Sequence, residues 1–156
     1  MMMMRNVGGS GSSSVIAPDP AYRVTLALAR EIYAGRRRRA RFLASDLFGE
    51  PTWDILLDLY IAARENRRVP TTSACIGAHV PPTTALRWLR ILEARGIVER
   101  EEDGRDGRRT FVRLSERGLT AMDGYLQGMV PGLTNAMIEP LREAEYADEA
   151  MAQAAE

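Results

Sequence analysis

Two groups of side chains in this 156-residue chain have the types and spacing to do chemistry. Thr83, Thr84, Arg87 and Arg90 follow a proline pair in VPPTTALRWLRILEARG, and Arg105, Arg108 and Arg109 share the stretch EDGRDGRR with Asp106. Arginine offers a planar fork of donors that fits a phosphate or the edge of a guanine. Threonine adds a hydroxyl that both donates and accepts. Such groups hold a polyanion rather than break bonds. Little else here supports bond-breaking: there is one cysteine, Cys75, one histidine, His79, and no phosphate-binding glycine loop. One Cys and one His are too few for a zinc site without several carboxylates. We therefore expect no enzyme, no catalytic residue, no metal and no cofactor. Cys75, in an apolar stretch, reads as a small buried side chain. His79 reads as a packing or hydrogen-bonding residue.

The elements that must position the two groups are readable around them. Pro82 suits the first turn of a helix over 82–94, with Ala85, Trp88, Leu89 and Leu92 as its buried stripe and Gly96 placed to cap it. Thr83, Thr84, Arg87 and Arg90 then fall on the other side. Ahead of it, SACIGA predicts a short helix with Thr71 and Thr72 as N-cap candidates. Its Ala74, Cys75 and Ala78 are small enough for another helix to approach. Behind it, GIVERE and RTFVRLS read as strands, and the Gly- and Asp-rich segment between them as their turn. Short helix, tight turn, longer helix and basic hairpin make a winged helix-turn-helix, whose second helix lies in a DNA major groove. The fold class expected is mainly α with a small β-hairpin wing over 101–109.

Residues 1–17, rich in Gly, Ser and Met, read as a disordered tail without the apolar core of a secretion signal, and no apolar run spans a bilayer. We expect a cytoplasmic protein with no membrane partner. A helix from Ala21 to about Arg39 would bury Val24, Leu28 and Ile32, and Arg36–Arg41 holds five arginines that read as a solvated face or a DNA-backbone contact. PTWDILLDLYIAAREN places Trp53, Leu56, Leu57, Tyr60 and Ile61 on a core stripe, with Asn66 as its stop, and Val69-Pro70 reads as a very short strand. Beyond Gly118, two helices broken at Pro131-Gly132 are expected, carrying the stripes Leu119, Met122, Leu126, Met129 and Leu133, Met137, Ile138, Leu141. Such stripes either pack on the chain's own body or meet a second copy. The net charge is zero, but unevenly spread. From Leu119 onward there are one arginine and seven acids, which leaves 20 arginines and 14 acids before it. The basic part is the expected partner of nucleic acid, with the acidic part held away from it.

The strings LEARGIVER (Leu92 to Arg100) and DGRDGRRTFVRLSERG (Asp103 to Gly118) resemble the MarR-type winged-helix transcription regulators over about Trp53 to Gly118. Asp106 and Arg108 fit that family's wing pair, and Leu114-Ser115-Glu116-Arg117-Gly118 fits its entry to a C-terminal helix, with Ser for Thr. The resemblance implies a homodimer on pseudo-palindromic double-stranded DNA. It implies that Arg108 enters the minor groove or meets phosphate while Asp106 holds it, and that Thr83, Thr84 and Arg87 meet bases and phosphates. It also implies a dimerisation lobe built from 18–48 and 119–156 around a DNA-binding domain over 49–118. An unidentified small-molecule effector is a further candidate partner. Tyr22, Tyr33, Trp53, Tyr60, Met122 and Tyr125 either line a pocket for it or are ordinary core. Pro81-Pro82 departs from the family's usual helix start and removes a phosphate contact. The competing reading is a winged helix that binds protein and does not read DNA sequence.

Overall fold

In the computed structural model, which describes residues 20–105 and 109–154, three left-handed residues each stop a helix. Asn66 (φ 54°), His79 (φ 51°) and Gly96 (φ 68°) follow α2 (Pro51–Arg64), α3 (Thr71–Gly77) and α4 (Pro82–Ala94). After α2 the Arg67 N–H returns to Ala62 O at 2.8 Å, and after α4 the Ile97 N–H returns to Leu92 O at 3.0 Å. These six-residue back-bonds satisfy carbonyls that the helix ends would otherwise leave open. The chain begins with α1 (Pro20–Arg38), which reaches α2 through the short 3-10 turns Arg39–Arg41 and Ser45–Leu47. Three strands, β1 (Val69–Pro70), β2 (Val98–Glu102) and β3 (Thr110–Leu114), form an antiparallel sheet in the order β1-β3-β2. Val98 pairs with Leu114 and Glu102 with Thr110, while Val69 meets Val112 on the other edge. The expected hairpin is thus joined by the very short strand expected at Val69-Pro70. The whole is the expected mainly helical winged helix-turn-helix.

The core shows why helical stripes were only partly readable. Helix α2 buries Ile55, Leu57, Leu59, Tyr60, Ile61 and Ala62, while Trp53 and Leu56 stay half-exposed. It is covered on most sides by α1, α3, α4 and β3, so a search for one apolar stripe underestimates it. Helix α1 faces the core with Thr25 and Ala29, whereas Val24 is 50% exposed. Small side chains let α1 and α2 approach closely, and they escape a search for bulky residues. Tyr60 ties the helices together: its phenol lies 2.9 Å from Thr25 Oγ1 and 2.7 Å from Asp123 Oδ1, and Asp123 also takes an ion pair from Arg64.

Two corrections concern helix ends. Thr71 and Thr72 do not cap α3 but lie inside its first turn, after Pro70. The Thr71 hydroxyl instead crosses to Thr110, 3.0 Å from its carbonyl and 2.7 Å from its hydroxyl. The C-terminal segment is not two helices: α5 runs unbroken from Glu116 to Ala154, with Pro131 and Pro140 inside it. Proline's fixed φ fits a helix, and its cost is a missing N–H and crowding of the carbonyl four residues earlier. Here the carbonyls so freed belong to exposed residues, Gln127 and Ala136, where water can take the place of the lost donor.

The junction of sheet and α5 is tightly specified. Ser115 caps α5, its Oγ accepting from the Gly118 N–H at 3.0 Å and donating to Gly96 O at 2.7 Å. Its backbone N–H meets Ile97 O at 2.9 Å. A Cβ at Gly118 would lie 2.2 Å from that same oxygen. The Leu-Ser-x-x-Gly string is therefore a cap followed by a close approach only glycine allows.

Candidate nucleic-acid interface

Pro82 starts α4 because it needs no donor there and its φ is already helical. The Thr84 and Ala85 N–H groups then bond to Pro81 O at 2.9 and 3.1 Å. Ala85, Leu89 and Leu92 turn into the core. A helical turn of about 100° per residue then carries Thr83, Arg87, Arg90 and Ala94 to the opposite face, and all four are exposed. Thr84 is half-buried and lies one step around the helix from Thr83, beside Trp88, also half-buried. The structure thus brings three of the four expected α4 residues onto one stripe and sets Thr84 at its margin.

Charge pairing sharpens this stripe. On α4 itself Glu93 takes Arg100 at 3.0 Å, and on β2 Glu99 takes Arg113 at 2.9 Å and Glu101 takes Arg68 at 3.5 Å. Arg87 and Arg90 have no hydrogen bond or ion pair among the described residues. In the wing, Arg105 and Arg109 are exposed and without a carboxylate partner among the described residues. The wing loop is closed by Asp103, whose N–H meets Arg109 O at 2.9 Å and whose Oδ1 accepts from the Arg105 N–H at 3.2 Å. Asp106 and Arg108, the expected wing pair, lie outside the described residues.

The arginine run that ends α1 and opens the connector is only in part the solvated face expected: Arg38 and Arg41 are exposed, and the others are not. Arg36 is nearly enclosed, bonded to Asp54 at 2.7 Å and to Glu50, and these bonds raise its already high pKa. Arg37 stacks on Tyr33 and donates to Gly77 O at 2.9 Å, at the end of α3. Arg38 pairs with Glu31, and Arg39 lies over Phe48. Arg36 and Arg37 thus bind α1 to the start of α2 and to the end of α3, while Arg38 and Arg39 make contacts within α1 and the connector.

The aromatic set divides rather than meeting around one pocket. Tyr60 and Met122 are buried, Tyr33 and Trp53 are half-buried, and Trp53 meets Tyr125 edge-on at 5.2 Å. A cavity of about 500 Å3 lies elsewhere, between α3 and α4, walled by Thr72, Cys75, Ile76, Val80, Pro82 and Leu86. Burial pushes the Cys75 thiol up, so it is a poor nucleophile there. Ile76 is 74% exposed at the rim of this cavity, and sequence reasoning passed over it. The signal was available: with Ala74, Cys75 and Ala78 turned inward, position 76 of so short a helix must point out.

No family model and no curated protein matches the sequence. Among solved structures the fold is similar to MepR of Staphylococcus aureus in a DNA-binding conformation, at 18% identity and a TM-score of 0.46, over 83% of this chain and 96% of that one. MepR is a transcription regulator of a multidrug efflux pump. AF1382 from Archaeoglobus fulgidus is similar at 20% identity and a TM-score of 0.43, over 58% of this chain and 91% of its own. A ZitR variant from Lactococcus lactis is similar at 13% identity and a TM-score of 0.45, over 71% and 73%. Among the described residues no helix is long and apolar enough to cross a membrane.

Proposed function

We propose that the chain is a sequence-specific DNA-binding transcription regulator, acting as a homodimer on a pseudo-palindromic operator. The observation that carries this reading is the exposed stripe Thr83, Arg87, Arg90 on α4, with both guanidinium groups free of acid partners among the described residues. Unpaired arginines on the outer face of a second helix in a helix-turn-helix are donors available to guanine edges and phosphates. Thr84 meets the backbone at the edge of the same groove. Arg105, Arg108 and Arg109 hold the wing on the backbone or in the minor groove, with Asp106 steadying Arg108. Residues 49–118 bind DNA, and 18–48 with 119–156 bring two copies together. The neutral cavity between α3 and α4 falls in the volume range of small-molecule sites, and an effector seated there would touch Pro82 and Leu86 of the recognition helix itself.

The test is selection of duplexes from a random pool at physiological salt. Enrichment of a two-fold palindrome, with half-sites about one helical turn apart, is the expected outcome. Loss of that enrichment in Arg87→Ala and in Arg108→Ala would place the contacts. No enriched sequence would reject the reading and favour a protein partner for the same face.

A further inference from the structure

We infer that the cavity at the end of α1 is a binding site for one small tetrahedral oxyanion of the phosphate class, and that the bound anion fastens α1 to the turn of the helix-turn-helix. The site lies off the recognition stripe and takes its anion whether or not the chain reads DNA. Only its effect on DNA binding rests on the reading proposed above.

The cavity holds about 150 Å3 and is walled by Arg36, Arg37, Arg39, Ser45, Asp54 and His79, with no wall from α4, α5 or the sheet. Space of that size takes a molecule about as large as benzene. Its charges do not balance. Arg36 is matched by Asp54 and Glu50, so the one carboxylate in the wall is already engaged. Arg37 and Arg39 have no carboxylate partner among the described residues. Arg37 lies against Tyr33 and donates to Gly77 O at 2.9 Å, and Arg39 lies over Phe48 and donates to Arg36 O at 3.4 Å. Asp58, which feels the charge of Arg37, makes its ion pair with Arg67 at 3.6 Å instead. Two positive charges thus border one small space without an anion to answer them.

One atom sharpens the point. Arg37 Nη1 is buried and has no acceptor among the described residues, while Nη2 of the same guanidinium holds Gly77 O. A buried donor left unpaired is costly, and more so when it carries charge. The other buried nitrogen in that condition, Arg64 Nε, belongs to a guanidinium that Asp123 already neutralises. Arg37 has no such compensation. A water beside it would supply an acceptor, but an anion supplies the acceptor and the opposite charge together. Arg39, Ser45 and His79 bring further donors from three separate segments, which suits the four oxygens of a tetrahedral anion better than the two of a carboxylate. Gly77 is the last residue of α3, and His79 is the left-handed residue of the turn that leads to α4. An anion held by Arg37 and His79 therefore ties the end of α1 to the turn that sets α3 against α4.

Calorimetric titration of the full chain with inorganic phosphate, at an ionic strength held constant with chloride, tests this. One phosphate per chain is expected. Arg39→Gln should weaken it at least about tenfold and Ser45→Ala about threefold to tenfold. Both leave the Arg37 bond to Gly77 in place, and their urea midpoints without phosphate check that they fold. Arg142→Gln, on the outer half of α5, should bind as wild type does. Sulfate should displace phosphate and acetate should not. A sugar phosphate that binds as tightly as phosphate would show that the anion arrives as the end of a larger metabolite, and one that is excluded would show the free ion. No saturable binding at millimolar phosphate, or binding indifferent to Arg39→Gln, would overturn the proposal. So would an Arg39→Gln protein that loses affinity for all DNA sequences alike while the wild type ignores phosphate, since these arginines would then serve the DNA backbone. Saturating phosphate should shift affinity for the selected operator at least about fivefold in the wild type and not in Arg39→Gln; an unchanged affinity would overturn the fastening role. Phosphate bound by a chain that selects no DNA would keep the site and sink the regulator reading. A palindrome selected by a chain that ignores phosphate would do the reverse.

Discussion

Gly118→Ala pits two effects of opposite sign against each other. In an exposed helix interior, Gly to Ala gains roughly 1 kcal/mol from backbone entropy alone. At Gly118 the new Cβ would stand 2.2 Å from Ile97 O, and 3.1 Å from the Ile97 carbonyl carbon. The obstacle is backbone, so no side-chain rotation relieves it, and an ordinary contact needs a shift of about an ångström. That oxygen already accepts from the Ser115 N–H at 2.9 Å, and the Ser115 hydroxyl binds both Gly96 O and the Gly118 N–H. Moving it strains bonds worth about 1 kcal/mol each, on top of an overpacking cost of about 1–3 kcal/mol. After subtracting the helix gain, we expect a net loss of about 2–3 kcal/mol. Gly128 is the control: it lies in the same helix, exposed, with nothing within 4 Å of its Cβ position. Gly128→Ala should stabilise by up to about 1 kcal/mol. Urea unfolding of the three proteins, read as midpoint shifts at constant slope, gives both signs in one experiment. A Gly118→Ala protein as stable as wild type would refute the close-approach reasoning.

Arg87→Ala should lower affinity for the selected operator about tenfold to a hundredfold. Its unfolding midpoint should stay within about 0.5 kcal/mol of wild type, since Arg87 is exposed and unpaired; a large stability loss would show a structural role instead. Asp58 carries a pH dependence: burial lifts its carboxyl above the ordinary range despite Arg67 nearby. A carboxyl whose pKa rises on folding favours the folded state while protonated, and that contribution is lost as pH rises through the folded-state value. Asp58→Asn should therefore be at least as stable as wild type at pH 7 and lose that relative advantage in acid, as followed by urea midpoints across pH. Cys75, buried and with its thiol pushed up, should react with a disulfide reagent much more slowly than a free thiol at pH 8, and at full rate in urea. Fast labelling of the folded protein would show that the cavity wall opens.

The helix-turn-helix and wing were readable because their signals are local. Pro82 starts a helix, Gly96 and Asn66 stop one, and alternation in RTFVRLS marks a strand, each within a few residues of its effect. The exposed stripe of α4 followed from the same periodicity, apart from Thr84, which lies at the boundary between two faces. What failed depended on distant partners. Thr25 and Ala29 face the core only because α2 lies across them, and no property of α1 alone selects them over Val24. The run Arg36–Arg41 looks like a charged surface until Asp54, Glu50 and the Gly77 carbonyl are brought to it from elsewhere in the chain. The unbroken α5 contradicts proline's local preference, and the reading of two helices weighed that preference without asking where the freed carbonyls point.

The length of α5 has a mechanical meaning. At 1.5 Å per residue its 39 residues span roughly 58 Å, and the part beyond Val130 reaches roughly 36 Å past the last buried turn. A rod of that reach is a lever. A tilt of about 5° at its base displaces the tip by about 3 Å, close to the rise of one base pair. Pro131 and Pro140 sit along the rod as compliant points, each lacking one backbone bond of the ladder. If two such rods join a pair of winged helices, small changes at the far end become whole-base-pair changes in the distance between recognition helices.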